Sequence, residues 1–499
     1  MDTVAERKEA RPLGAQLGVR ATRQLDLEAT TMKQPNLRAV LGLTSAAYFM
    51  AVLDSLVVVT ALPSIGASLH VGLQALQWTV NAYGIALAAG IISAAAVGDR
   101  FGRRRIFVAG VVLFTAGSAV CGLAGSSAML IAARAIQGLG GAALLTLSLT
   151  ILTDAFPAQR RGTVIGIYGG LAGLAVAAGP LVGGAVTQGA DWRWIFWINV
   201  PIGLITAALS ARLLPESRGR ERRVDATGVA LVSGGAVSLV WGLVRGPSLG
   251  WGSAQVLAAL IAGIALLVAF VGWEARTPSP MVPLRLFADR TFAAGAAAMF
   301  MMTGSIFAGG FLIIQYAQLA RGYSPVMTGV RLLPWLIMPM LVSPLAGALS
   351  DRIGQRRLIA SGLALQAAGF GWVALRVGAG LSYGELAGAL LVAGVGIGMA
   401  LPTAPTAVLG AVARHELGTA SGVATTLQRF GAVFATAVAT AVLSGTGGLG
   451  SAAAFTAGMG PALGVCAGIS LCGALVSLGI RPEPIRAATP AAQPVPAGS

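Results

Sequence analysis

Two charged residues of this chain stand where charges are costly. Asp54 is the acid lying well inside an apolar run, about eight residues or ~12 Å from the run's far end. Arg134 lies about six residues, or ~9 Å, inside another run, so the two fall at similar depth. A carboxylate in hydrocarbon implies a lined cavity or a cation, and a buried guanidinium needs an acid. Asp54 and Arg134 are therefore the candidate proton-coupling pair, because a carboxyl group so placed can bind and release a proton as its surroundings change, with a purely structural ion pair as the alternative. A second group of charges is duplicated. Residues 95–105 read AAVGDRFGRRR and residues 347–357 read GALSDRIGQRR, aligned without gaps at an offset of 252 and identical at six of eleven positions. Each copy follows an apolar run, so one membrane module occurs twice. In the first copy Gly102 permits a tight bend beside Asp99, Arg103 and Arg104, and Asp154, at the end of a later run, is a candidate partner.

The elements that hold these residues must be lipid-embedded helices. Of 499 residues, 56% are hydrophobic and 10% charged. A soluble domain carries about 25% charged residues, so no sizeable soluble domain fits. In lipid only helices or closed barrels satisfy every backbone group, and apolar runs of ~18–25 residues without alternation favour helices. Fourteen runs qualify: 39–62, 78–97, 106–123, 128–150, 164–186, 194–213, 228–244, 254–271, 292–315, 329–349, 358–375, 386–409, 418–443 and 461–480.

The net charge of +16 reports topology. With the N-terminus in the cytoplasm, 27 of the 34 Lys and Arg residues fall on that side, and only Arg193, Arg245, Arg321 and Arg376 fall in outer loops. This is the positive-inside pattern, so both termini are expected in the cytoplasm and no nucleic acid is implied. Cys121, Cys466 and Cys472 lie in apolar runs without metal spacing and read as packing residues. Arg outnumbers Lys 32 to 2 in an Ala- and Gly-rich chain, which suggests a GC-rich bacterium and its cytoplasmic membrane.

The charged turns follow runs 2 and 10, so the repeat offset is eight helices. The expected architecture is all-α and integral to the membrane: a tail at 1–38, a six-helix module at 39–213, two inserted helices with linkers at 214–291, a second six-helix module at 292–480 and a tail at 481–499. A pseudo-two-fold axis along the membrane normal would relate the modules, with the transport path between them.

Further motifs carry a resemblance. The turn signature G-x-L-x-D-R-x-G-R-[KR] is met at Ala95, Val97, Asp99, Arg100, Gly102, Arg103 and Arg104, with Ala for the leading Gly, and again at Gly347, Leu349, Asp351, Arg352, Gly354, Arg356 and Arg357. R-x-x-Q-G-x-G is met at Arg134, Gln137, Gly138 and Gly140; G-P-x-x-G-G at Gly179, Pro180, Gly183 and Gly184, with an upstream glycine at Gly166 and Ala at 175. LDSLVVVTALP at 53–63, WRWIFWINVPIG at 192–203 and QLARGYSP at 318–325 complete the set. On these motifs, spread over about residues 39–480, the chain resembles the major facilitator superfamily, and within it the fourteen-helix drug:proton antiporter family.

The resemblance implies the major facilitator fold and a monomer. It links Arg134 to proton coupling, makes the Asp99 turn a latch at the cytoplasmic gate, and makes Gly179–Gly184 a seal against proton leak. Ordinary helix packing and topogenic charge are the structural alternatives for these last two. The implied function is secondary active export of hydrophobic or amphipathic drugs or antibiotics in exchange for protons. Neither a cofactor nor a metal is expected, since there is no G-x-x-x-x-G-K-[ST] loop for ATP and no nucleophile–base set for an enzyme. A dedicated metabolite transporter of the same fold and, from another class, a non-transporting membrane sensor are the alternatives. Tyr48, Trp78, Asn81, Tyr83, Gln315, Gln318 and Arg429 are candidates to line a cargo pocket, although Trp and Tyr also favour the membrane interface and Arg429 could instead snorkel.

Overall fold

The computed structural model describes residues 36–219, 225–280, 282–377, 381–412, 416–447 and 451–481, and most of both expected tails lies outside them. The described residues form helices and short connections, with no strand among them. In chain order the long helices are α1 (Leu37–Leu69), α2 (Leu73–Phe101), α3 (Arg103–Gly122), α4 (Ser127–Ala155), α5 (Ala158–Gly189), α6 (Trp194–Leu213), α7 (Ala226–Leu249) and α8 (Ala254–Glu274). They continue with α9 (Arg290–Gln315, extended by a π turn at Tyr316–Ala320), α10 (Pro325–Arg331 running into Leu333–Ile353), α11 (Gln355–Arg376), α12 (Tyr383–Gly410), α13 (Leu417–Thr446) and α14 (Ala452–Ser477).

Twelve helices of the described residues are long and apolar enough to cross a membrane, or thirteen with α2, which is bent by 47° between Gln74–Ile91 and Ser93–Phe101. The chain is thus a multi-pass membrane protein. Of the fourteen expected spans, the remaining one falls on α5, a 32-residue helix in which many side chains lie outside the described residues.

Polar residues in the connections start the helices. Side-chain oxygens of Asn36, Ser126, Ser253, Ser324 and Ser451 each accept the N–H of the third residue onward, and Ser382 with Glu385 forms a reciprocal capping box. The duplicated turns share one backbone geometry. Gly102 (φ 110°, ψ 125°) and Gly354 (φ 89°, ψ 141°) each end one helix with an N–H bond of 2.9 Å to the carbonyl four residues back, and the next helix starts at once. That region of φ is open to glycine and closed to residues with a Cβ.

Helix packing repeats at the same offset of eight. Among α1–α6 the contacting pairs are α2 with α4, α3 with α4, α1 with α5, α3 with α6, and α1 with α4 and α6; the counterparts among α9–α14 are all present. The seams between the two sets are also paired: α2 meets α13, and its counterpart α10 meets α5. Between them α7 and α8 form a hairpin. α7 covers the α2–α13 seam, while α8 packs on α7 and exposes Ile261, Ile264 and Val268 on its outer side.

The buried apolar side chains form three clusters, one of which joins Ile85, Ala88 and Ala89 of α2 to α7, α9, α11, α12 and α13. Toward the face bearing the Gly102 and Gly354 turns (the basic face), Val40, Leu43, Phe107 and Leu152 belong to a cluster drawn from α1–α6 and from Phe156 and Leu214 just beyond α4 and α6. Toward the far face one cluster joins both sets, with Val57, Leu62 and Ile65 of α1 continuous with Phe311, Ile314 and Trp335.

The two glycine turns differ in their surroundings, and this separates their substitutions. A Cβ at Gly102 would lie 2.8 Å from Glu216 Oε1, whereas nothing lies within 4 Å of one at Gly354. Gly354→Ala should cost about 1–3 kcal/mol from backbone strain alone. Gly102→Ala should cost more and lower the thermal midpoint of the purified protein further; equal shifts would remove Glu216 from the account.

Candidate functional site

Two glycines of α4 hold its polar residues in place. A Cβ at Gly138 would lie 2.5 Å from the Tyr83 carbonyl oxygen of α2, and one at Gly140 2.5 Å from the Phe114 nitrogen of α3. With its back clamped between α2 and α3, α4 presents Arg134 and Gln137 toward α1. The other half repeats the clamp: Gly394 of α12 abuts the Trp335 carbonyl of α10 at 2.8 Å, and Gly396 abuts the Gly362 carbonyl of α11 at 2.3 Å, again for an added Cβ. The residues standing where Arg134 and Gln137 stand in α4 are Leu390 and Ala393. The scaffold is duplicated and the chemistry is not.

Asp54 and Arg134 meet with both side chains 1% exposed. Arg134 Nη1 donates to Asp54 Oδ2 at 2.5 Å and to Gln137 Oε1 at 2.8 Å. The other oxygen, Asp54 Oδ1, accepts Gln137 Nε2 at 3.0 Å and Asn199 Nδ2 at 2.9 Å. Asn199 also donates to Ser118 Oγ, which donates to the Phe196 carbonyl at 2.9 Å. Arg134 Nε reaches the Thr79 carbonyl at 3.3 Å, and its guanidinium lies 4.0 Å from the centroid of the Tyr83 ring. Cys121 is buried with its thiol 3.6 Å from Gln137 Oε1.

Depth counted from apolar run ends placed this pair imperfectly. α1 continues to Leu69, so Asp54 is about fifteen residues, ~22 Å, from the helix end, while Arg134 is about seven residues from the start of α4. The two meet because α1 projects beyond α4. Asn199 and Ser118 had no sequence signal of their own; Asn199 sits within the WINVP stretch, and only the packing of α6 on α1 and α3 brings it to Asp54.

The first charged turn forms a closed network. Arg103 binds Asp99 through Nε at 2.8 Å and also binds Asp154, which accepts Ser217 Oγ at 3.1 Å. The segment after α6 completes it: Glu216 Oε1 accepts the Arg104 N–H at 3.0 Å and its carboxylate lies 3.6 Å from Arg105, while Gly219 N–H donates to the Asp99 carbonyl. Glu216 and Ser217 were read as linker, and their role arises from chain return across the turn. Arg100 lies exposed over Phe101 at 5.1 Å. In the second copy Arg352 is exposed, Gly347 has open space beside it, Arg356 is half-buried, and the side chain of Asp351 lies outside the described residues.

The glycines of α5 bring three helices together. An added Cβ would lie 2.6 Å from Leu56 Cβ at Gly179, 3.0 Å from the Val57 carbonyl at Gly183, and 2.5 Å from the Pro325 carbonyl of α10 at Gly184. From the facing side, one at Gly329 would lie 3.0 Å from the Pro180 carbonyl. This motif therefore seats α5 on α1 and closes the α5–α10 seam. The surroundings of Gly166 lie outside the described residues.

The pocket candidates separate. Gln315 and Gln318 bind the Val59 and Thr60 carbonyls of α1 at 3.5 and 3.1 Å, so they tie α9 to α1 toward the far face. Tyr83 is buried, its hydroxyl 3.3 Å from the Ala51 carbonyl. Asn81 is buried with both amide atoms lacking a partner, and Trp78 packs against the cluster around α2, α7 and α13. Tyr48 stacks on Tyr168 with centroids 4.3 Å apart. Arg429 makes no ion pair among the described residues, and its buried Nε has no hydrogen-bond partner.

A multi-pass helical protein with paired halves and a buried charge pair in one of them has the build of a transporter. The family model for the Major Facilitator Superfamily matches residues 44–436 and 297–497. The chain is 36% identical over 394 residues to the tetracenomycin C resistance and export protein of Streptomyces glaucescens, covering 78% of this chain and 72% of that protein. It is also 36% identical over 403 residues to the multidrug resistance protein Stp of Mycobacterium tuberculosis, covering 80% and 75%. Among solved structures it is similar in fold to a peptide transporter crystallised with sulfate, with TM-score 0.65 and 17% identity over 90% of this chain and 95% of that one. The chain belongs to the major facilitator superfamily.

Two substitutions test the packing described. Asp54→Ala leaves Arg134 buried without its acid and should cost about 3–5 kcal/mol, whereas the double change Asp54→Ala with Arg134→Met should recover much of the loss. Thermal unfolding of the purified variants measures this, and additive losses would mean that the charges do not depend on each other. Gly184→Leu should part α5 from α10. A cysteine replacing the buried Thr328, with Cys121, Cys466 and Cys472 replaced by alanine, should then react on the order of tenfold faster with a hydrophilic maleimide.

Proposed function

We propose that the protein exports hydrophobic or amphipathic drugs or antibiotics across a bacterial cytoplasmic membrane in exchange for protons. The observation that carries this reading is the buried Asp54–Arg134 pair, present in one half of a duplicated scaffold. Curated relatives named for antibiotic export and multidrug resistance support the cargo class. The basic face, with its two glycine turns, is the cytoplasmic one by charge distribution, so both termini are cytoplasmic and the joined far face is the outer one. The halves touching at the far face correspond to an inward-facing state. Counting α2 and α5 as spans gives fourteen, in two six-helix modules with α7 and α8 inserted, acting as a monomer without a cofactor.

The chemistry follows from the partners. A proton arriving from outside adds to an Asp54 carboxylate oxygen and cancels its charge. Arg134 then loses its strongest attraction but keeps Gln137 Oε1, the Thr79 carbonyl and the Tyr83 ring face, so the cation is not orphaned. α1 and α4 are thereby free to move relative to each other within the first module, and α1, tied to α9 through Gln315 and Gln318, carries that movement to the second. Release of the proton to the cytoplasmic side restores the pair and resets the cycle. The Asp99–Arg103–Asp154 network holds the cytoplasmic ends of α2, α3 and α4 as one unit during this movement.

The test uses purified protein in liposomes with an imposed proton gradient and a trapped pH dye. Substrate-dependent proton flux should appear with the wild type and fall at least about a hundredfold in Asp54→Asn, which keeps the size but cannot titrate and turns one accepting oxygen into a donor. Undiminished coupled flux in Asp54→Asn would move the proton site elsewhere.

A further inference from the structure

Arg429 is a half-buried cation at membrane depth, and no acid answers it among the described residues. It is the thirteenth residue of α13, about 18 Å from that helix's start and about 25 Å from its end at 1.5 Å per residue. An arginine side chain cannot reach either membrane surface from there, so snorkelling does not explain it. Arg134 and Arg331, which also lie within apolar runs, are both satisfied. Arg134 holds Asp54, and Arg331 binds the Tyr323 hydroxyl and lies over the Tyr323 and Tyr383 rings at 4.1 and 4.7 Å. Arg429 has no acid among the described residues, and its Nε is buried without an acceptor. An orphaned charged donor at this depth destabilises the empty protein, and an anionic acceptor supplied by a ligand removes that cost.

The position of Arg429 says where such a ligand would lie. α13 belongs to the second half and meets α2 of the first, with Gly84 against Val433, one turn beyond Arg429. Gly84 adjoins Tyr83, whose hydroxyl lies 3.3 Å from the Ala51 carbonyl of α1, about one turn from Tyr48, so the packing brings α13 at Arg429, Tyr83 and Tyr48 to one region. Tyr83 carries Arg134 on its ring face, which links this region to the coupling pair. Tyr48 adds an aromatic surface, since it is half-buried and stacked on Tyr168. The site thus offers one unpaired guanidinium, one phenol and one aromatic face.

We propose that Arg429 is the anion-recognition residue of the cargo site, taking the carboxylate or phenolate of a flat aromatic molecule whose ring lies against Tyr48. This rests on the export reading and narrows it to acidic aromatic cargo. The guanidinium supplies charge-assisted hydrogen bonds to the anion, and stacking supplies the contact with the ring. The halves meet through the cargo, because its anion is held by α13 and its ring by α1. Cargo bound beside Tyr83 is next to the Asp54–Arg134 pair, close enough for its charge to bias protonation there.

The experiment compares anthracene-2-carboxylate with its uncharged methyl ester, binding to the full-length protein in nanodiscs and read by quenching of tryptophan fluorescence. The acid should bind the wild type about tenfold or more tighter than the ester. Arg429→Gln should abolish that difference by weakening the acid far more than the ester, and Arg429→Lys should keep part of it. Equal binding of acid and ester by the wild type, equal weakening of both by Arg429→Gln, or no binding of the acid would each overturn the inference. The wild-type comparison stands even if Arg429→Gln does not fold. Proton-coupled transport of uncharged or cationic drugs, measured in liposomes on the same preparation, separates the outcomes. Its persistence alongside a failed acid–ester difference leaves export intact, and its absence counts against export itself.

Discussion

Burying a carboxylate and a guanidinium in a lipid-embedded helix bundle is tolerable only when each satisfies the other, and much of the first half is arranged around that requirement. Asp54 uses both oxygens, receiving Arg134 on one and Gln137 and Asn199 on the other. Five helices contribute, since Thr79 and Tyr83 of α2 and Ser118 of α3 support the residues of α1, α4 and α6. Such a site is stiff while both charges are present and loosens when one is neutralised. Removal of one charge is therefore an event that the surrounding packing registers.

The close helix approaches that make this possible are set by glycine. Without an aqueous hydrophobic drive between helices in lipid, association depends on backbone proximity and van der Waals contact. Gly138 and Gly140 let α4 sit against α2 and α3 on two sides, and Gly394 and Gly396 do the same for α12 against α10 and α11. Gly183 and Gly184 bring α5 onto α1 and α10, so one short stretch touches its own half and the other half at once. A motif at such a crossing transmits movement as readily as it seals a path.

Duplication explains the shape and its departures explain the chemistry. The contacts within α1–α6 recur within α9–α14, and the α2–α13 and α5–α10 seams are counterparts. Against this background three features have no equivalent across the pseudo-symmetry among the described residues: the charge pair on α1 and α4, the lone cation on α13, and the α7–α8 hairpin over one seam. The hairpin makes the two seams mechanically unequal. The α2–α13 seam has a third helix against it, whereas the α5–α10 seam relies on direct contact at Gly184 and Gly329.

The sequence by itself determined the helical class, the membrane setting, the eightfold helix offset between the turns, and the identity of the charges that must find partners. These follow from short-range rules: an apolar run of sufficient length has one viable structure in lipid, and a charge within it needs an explanation wherever the helix goes. The linear chain held no record of which groups complete each site. Asn199 and Ser118 are ordinary residues until α6 and α3 pack beside α1, and Glu216 reads as a linker acid until the chain returns across the Gly102 turn. Gln315 and Gln318 looked like pocket residues by type and became ties between halves by position. Arg429 shows the same division, since its type and depth were legible but its lack of a partner is a property of the whole bundle. Tertiary structure decided these points because hydrogen-bond partners 55 to 258 residues apart are fixed by helix crossing geometry, which no local pattern encodes.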